Sequence, residues 1–122
     1  MSAPSLTSYI VKRPWLKRWM TPLAQWYTDA AGYRRLGLRF DDLIPEESDV
    51  VQTALKRLPP KEAYDRVFRI RRAFQCSVSH TLLPAHEQTK PEEDVEYLSP
   101  IIREIEKEQK ERVDLDSLVV RR

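Results

Sequence analysis

The sequence holds two glycines, one cysteine and no acidic residue before Asp29. So few glycines argue against a sheet-rich fold, whose many tight turns need residues free to adopt positive φ. The single cysteine, Cys76, cannot close an internal disulfide, so the fold does not depend on an oxidising compartment. No run of about 18 apolar residues occurs, which excludes a membrane-spanning helix. The longest stretch without Asp, Glu, Lys or Arg runs from Ala73 to Ala85, and it contains Gln75, Ser77, Ser79 and His80. Repeats and low-complexity segments are also missing.

Against these absences stand nine prolines and a composition of 41% hydrophobic and 33% charged residues in 122. That balance suits one folded domain with a modest core. The net charge of +2 is unevenly spread: Lys12, Arg13, Lys17 and Arg18 face no acid in the first 28 residues. From Glu87 onward, 11 acids outnumber 7 bases. A basic, acid-free start containing Ser, Thr and Trp has the character of a mitochondrial targeting segment. The same pattern also serves a basic amphipathic helix retained in the mature chain.

Hydrophobic periodicity predicts an all-α fold: a small irregular helical domain of about four helices with an N-terminal helical arm and no transmembrane span. Residues 1–32 form the basic amphipathic arm, 33–86 the central helices, and 87–122 an acidic C-terminal helix and tail. In the arm, Trp15, Trp19, Leu23, Trp26, Tyr27 and Ala30 recur at helical spacing between Pro14 and Gly32, and Pro22 is expected to kink or divide the helix. The stretch from Tyr33 to Pro45 is expected to be an ordered connection anchored by Leu36, Leu38 and Phe40. A short helix follows, capped by Ser48 or Asp49, with Val50, Val51, Ala54, Leu55 and Leu58 on one face and Pro59-Pro60 at its end.

The next helix starts at Pro60 and stops at Pro84. Tyr64, Val67, Phe68, Phe74, Val78 and Leu82 give it an expected buried stripe, with Arg66, Arg69, Arg71 and Arg72 on the other side. The last helix is expected to begin near Pro91 or Ser99-Pro100, with Glu92, Glu93 and Asp94 crowding its positive end. Ile101, Ile102 and Ile105 give it a short apolar face, and Glu106–Lys110 and Glu108–Arg112 are spaced for i,i+4 pairing. A helix so polar bridges solvent or lies along a partner. The tail from Leu115 to Arg122 is either a strand able to add to another chain's sheet or a frayed terminus.

Chemistry-bearing patterns are sparse. Cys76 and His80 are one helical turn apart, but a zinc site needs about four ligands, and His86 is the only other histidine. Ser77, Ser79 and His80 lack the Gly-x-Ser-x-Gly elbow of a hydrolase, and two glycines cannot build phosphate-cradling loops. The adjacent acids Asp41-Asp42 and Glu46-Glu47 suit helix capping or basic partners better than acid–base catalysis. The arginine cluster fits either phosphate contact or a salt-bridged helix face. Three tryptophans among basic residues fit a membrane interface, an anchor on a partner, or burial against the arm's own domain.

The ordered run Ala31-Gly32-Tyr33-Arg34-Arg35-Leu36-Gly37-Leu38-Arg39-Phe40-Asp41-Asp42-Leu43-Ile44 closely resembles the corresponding stretch of the subunit 7 (14 kDa) family of ubiquinol–cytochrome c reductase, respiratory complex III. Glu46-Glu47, then Val51 through Pro59, the helix with Arg66, Arg69, Ile70 and Arg72, Leu82-Leu83-Pro84, and Glu93 through Leu98 continue the pattern. The likeness runs from about Trp15 to Val113; Cys76 and Trp26 are not part of it.

The resemblance implies a non-catalytic accessory subunit, peripheral on the matrix side of the mitochondrial inner membrane. Such a subunit binds cytochrome b, the core subunits and other small subunits, and supports assembly of the complex. It has no cofactor of its own, since haem and quinone belong to neighbouring subunits, although an anionic phospholipid can bind at its surface.

On this reading Trp15, Trp19 and Trp26 anchor the arm on cytochrome b or at the lipid boundary. Arg34, Arg35, Arg39, Asp41 and Asp42 pair across the interface, and Arg66, Arg69, Arg71 and Arg72 meet acidic loops or anionic lipid. Glu47 lies near the matrix-side quinone-reduction site and assists proton uptake. The alternative is a small RNA-binding mitochondrial protein that uses the arginines and the aromatic arm, with steep salt dependence.

Overall fold

The computed structural model describes residues 6–118. Five α-helices occur among them: α1 (Thr7–Val11), α2 (Pro14–Ala31), α3 (Asp49–Arg57), α4 (Pro60–Val78) and α5 (Ser99–Asp116). Two 3-10 turns, Tyr33–Leu36 and Phe40–Leu43, lie between α2 and α3. The described residues contain no strand, and none of their helices is long and apolar enough to cross a membrane. The chain is all-α. It divides into two compact units after Gly32.

The first unit is the arm. Pro14 opens α2 at its first turn, where a missing N–H costs nothing. Gly32 closes it in the left-handed region, at φ 77°. Of the two expected effects of Pro22, a kink or a division, division does not occur; the helix is continuous from Pro14 to Ala31. A proline deprives a helix of one hydrogen bond, and the intact turns on either side carry this one. No residue of α1 or α2 is buried.

In the second unit, α3 packs against α5. Val51, Ala54 and Leu58 of the α3 segment meet Leu98 and Ile105, with Ile44, Val50, Leu55, Ile101 and Ile102 packed around them. The apolar positions on both helices follow a single helical period, so each has only one face to bury. Ala54 and Leu98 are fully enclosed. Arg57 spans the two helices with a two-point pair to Glu108, both contacts at 2.8 Å. The pair is exposed and adds little to stability. Arg112, at the i,i+4 position its spacing suggests, acts on Glu108 through charge alone.

α5 starts at Ser99, with Pro100 in its first turn, and Glu92, Glu93 and Asp94 stand outside it. Leu115 and Asp116, expected at the start of a tail, belong to α5; residues 119–122 lie outside the described residues.

Candidate partner-docking surface and the ion network behind it

The sequence pattern of α4 is inverted in the structure. Arg66, Arg69, Ala73 and Cys76 face inward, while Tyr64, Val67, Phe68, Phe74 and Val78 face out, as does Leu82 beyond the helix. Phe74 is 70% exposed and Arg66 only 3%. The expected buried stripe is therefore the outer face. The cause is a set of partners that the arginines find across the chain.

Asp42, in the second 3-10 turn, is the centre of that set. Arg69 donates to both of its oxygens, Nε to Oδ2 at 2.7 Å and Nη2 to Oδ1 at 2.9 Å. The Arg39 backbone N–H donates to Oδ2 at 2.9 Å, and the Tyr97 hydroxyl donates a short hydrogen bond to Oδ1. Burial alone would raise the carboxyl pKa of Asp42. The bonds from Arg69, Arg39 and Tyr97 outweigh it and hold the group below the ordinary aspartate value.

Arg66 donates to Glu46 Oε1 from Nε and Nη2, at 3.1 and 2.8 Å. Its Nη1 reaches the Asp41 carbonyl at 2.9 Å and the Tyr97 hydroxyl at 2.8 Å. Buried charges are tolerated because they are paired and hydrogen-bonded to this degree.

Asp41, 1% exposed, has a different task. Its Oδ2 accepts from the backbone N–H groups of Tyr97, Leu98 and Ser99 at 2.8, 2.7 and 2.9 Å, and its Oδ1 accepts from the Ser99 hydroxyl at 2.6 Å. A carboxylate at the positive end of a helix satisfies N–H groups that have no partner within the helix. Here it comes from a distant turn.

Asp94 ties down the first connection. It accepts from the Tyr33 hydroxyl at 2.6 Å, Arg34 Nε at 2.9 Å and the Phe40 N–H at 2.8 Å. Burial opposes its ionisation, but these donors prevail and hold its pKa below the ordinary value. Burial, reinforced by the same contact, pushes Tyr33 up to about 12.

Gly37, at φ 73°, lies under Arg72. A Cβ there would collide with Arg72 Nη2 and come within 2.7 Å of Leu83 Cδ1.

These facts redistribute the residues singled out in the sequence. Asp41, Asp42, Arg66 and Arg69 spend their charges inside the chain, so the expectation that they pair across an interface or meet lipid is not met by this geometry. Arg34 and Arg39 likewise have internal contacts, with Asp94 at 2.9 Å and Glu62 at 3.4 Å. Arg72 is half-buried, 5.2 Å over the Phe68 ring and 4.0 Å from Glu87.

Arg35 and Arg71 are exposed and make no ion pair with the described residues. Helical geometry puts Arg71 in the middle of the outer apolar face of α4. Glu47 is also exposed and unpaired among the described residues, while its neighbour Glu46 is held by Arg66. Trp15, Trp19 and Trp26 are exposed on α2. The arginines do not form one phosphate-reading patch, which removes the main support for RNA binding.

Cys76 is buried and His80 exposed, and no group of three or more potential metal ligands occurs among the described residues.

Sequence reasoning missed the inward arginine face, although a signal existed. Arg66, Arg69, Ala73 and Cys76 follow helical period as well as the apolar residues do, and the small side chains of Ala73 and Cys76 lie in line with the arginines. Asp41, Asp42 and Glu46 stand ready in the preceding connection.

The fold and its surface define a class: a small protein, all-α over its described residues, with an internal ion network behind a helix, α4, whose large apolar side chains face out. Residues 14–113 match the family described as ubiquinol-cytochrome C reductase complex 14kD subunit. The chain is 56% identical over 120 residues to cytochrome b-c1 complex subunit 7 of Neurospora crassa, covering 98% of each chain. It is 47% identical to the subunit 7 of Kluyveromyces lactis, over 98% of this chain and 94% of that one. With the subunit 7 of Debaryomyces hansenii it shares 50% identity, over 92% of this chain and 89% of that one. The chain belongs to the ubiquinol–cytochrome c reductase 14 kD subunit family.

Proposed function

We propose that the chain is a non-catalytic accessory subunit of mitochondrial complex III, peripheral on the matrix side of the inner membrane. There it binds cytochrome b, the core subunits and other small subunits, and supports assembly. The observation that carries this reading is the outward apolar face of α4 in a member of this family. Monomers seldom leave such a stripe to water, and helices that do so use anchors at this spacing to fill a groove. Tyr64, Val67, Phe68 and Phe74 are the anchors, and Arg71 among them calls for an acidic group on the partner. The buried network keeps the face rigid, which lowers the ordering cost of docking.

The subunit needs no cofactor of its own, and haem and quinone lie with its neighbours. Glu47, exposed beside the tethered Glu46, is proposed to assist proton uptake at the quinone-reduction site. Glu47→Gln should then slow quinone reduction at unchanged complex content, and unchanged turnover would refute this role.

The test of the main reading is to delete the gene and separate the respiratory complexes on a native gel, with haem b spectra. Loss of assembled complex III and of the haem b signal, restored by the wild-type chain, is expected. A normal complex III without the chain would overturn the reading.

A further inference from the structure

The arm is a unit by itself, and its chemistry differs from that of α4. α2 is 18 residues long, about 27 Å at the helical rise, and buries none of them. At 100° per residue, Trp15, Trp19 and Trp26 fall within about 40° of one another, with Leu23 and Ala30 beside them. Trp19 is 77% exposed. Lys17 and Arg18 lie toward the two borders of the polar face, with Thr21, Gln25 and Thr28 between them. Acid is absent until Asp29 in the last turn of α2. α1 adds exposed Tyr9 and Val11, and Arg13 stacks 4.6 Å from the Tyr9 ring. A partner protein would be expected to meet a mixture of charges. An arm whose one acid lies in its last turn, with a tryptophan line and cations at the borders of its polar face, has the layout of a helix lying in a bilayer interface, where indoles sit at headgroup depth and basic side chains reach anionic phosphates.

We propose that α1 and α2 dock the subunit on the surface of an anionic bilayer, with the line of Trp15, Trp19 and Trp26 in the interface and Lys12, Arg13, Lys17 and Arg18 on lipid phosphates. The proposal rests on the complex III reading only for which membrane is met; binding to lipid is independent of it.

The full chain, mixed with vesicles of phosphatidylcholine alone or with phosphatidylglycerol, should sediment only with the second kind. Its tryptophan emission should shift to the blue, and salt should release it. Lys17→Gln and Arg18→Gln should each weaken partition about fivefold. Trp19→Ala with Trp26→Ala should weaken it further and reduce the blue shift. Phe68→Ala, in the other unit, should leave partition unchanged, with circular dichroism reporting the fold of every variant.

Equal binding to both vesicles, no binding by a folded chain, or equal loss with Phe68→Ala would each overturn the proposal. A folded chain that ignores vesicles, but whose Trp19→Ala/Trp26→Ala variant fails to enter complex III, would assign the arm to a protein partner instead.

Discussion

Arg69 and Asp42, 27 residues apart, meet through two parallel hydrogen bonds of 2.7 and 2.9 Å in the interior of the second unit. This pair turns α4 so that its arginines face in and its aromatics face out. Asp42→Asn should destabilise the chain by about 3–5 kcal/mol, because Arg69 stays buried without its counter-charge. Urea unfolding followed by circular dichroism measures this. A loss below about 0.5 kcal/mol would mean that the pair does not orient α4.

Asp41 is an N-terminal cap supplied at a distance. Asp41→Ala leaves three N–H groups at the start of α5 without their acceptor. The expected cost is about 1–3 kcal/mol, with hydrogen exchange rising first at Leu98 and Ser99. Asp41→Asn keeps an acceptor oxygen and should cost less.

Gly37 cannot take a side chain. Its positive φ and the closeness of Arg72 and Leu83 predict that Gly37→Ala costs about 1–3 kcal/mol. An unchanged thermal midpoint would show that Arg72 moves aside freely.

The pH dependence has two limbs. Asp42 and Asp94 titrate below the ordinary aspartate value in the fold, so the unfolded chain binds more protons on acidification. Their contribution is present above the unfolded pKa of about 3.9 and is lost as pH falls through the folded values. Tyr33, pushed up to about 12, acts in the other direction. The unfolded tyrosine ionises from about 10, so stability falls as pH rises from there toward Tyr33's own value. Asp94→Asn should flatten the acid limb and bring Tyr33 back toward 10, seen as tyrosinate absorbance. If Tyr33 ionises at an ordinary pH in the wild-type chain, the Asp94 contact is not formed.

The sequence made some of this legible. α3 and α5 carry one apolar face each, so Val51, Ala54, Ile101 and Ile105 leave no choice of orientation. α4 carries two stripes of equal period, and hydrophobicity selects the wrong one. Only the acids in the 41–46 stretch decide it, through contacts that no local pattern encodes. The start of α5 is the second of the two expected, Ser99-Pro100 rather than Pro91, but its cap was hidden in the same way. Glu92, Glu93 and Asp94 look like first-turn acids, but Asp94 is taken by Tyr33, Arg34 and Phe40. The acid that caps the helix, Asp41, lies more than fifty residues upstream. For the arm, helical spacing made the tryptophan line legible but not its exposure, since burial against the arm's own domain fitted the same pattern.

The central claim is that the outward face of α4 docks this chain into complex III. Phe68→Asp with Phe74→Asp should leave the fold intact, since both side chains are mostly exposed and Arg72, which covers part of the Phe68 ring, would meet a carboxylate in its place. The most direct measurement is to express this variant in place of the wild type and read complex III on a native gel with the haem b spectrum. The account predicts a chain that folds alone but a marked loss of assembled complex and of haem b. Wild-type levels of both would contradict it.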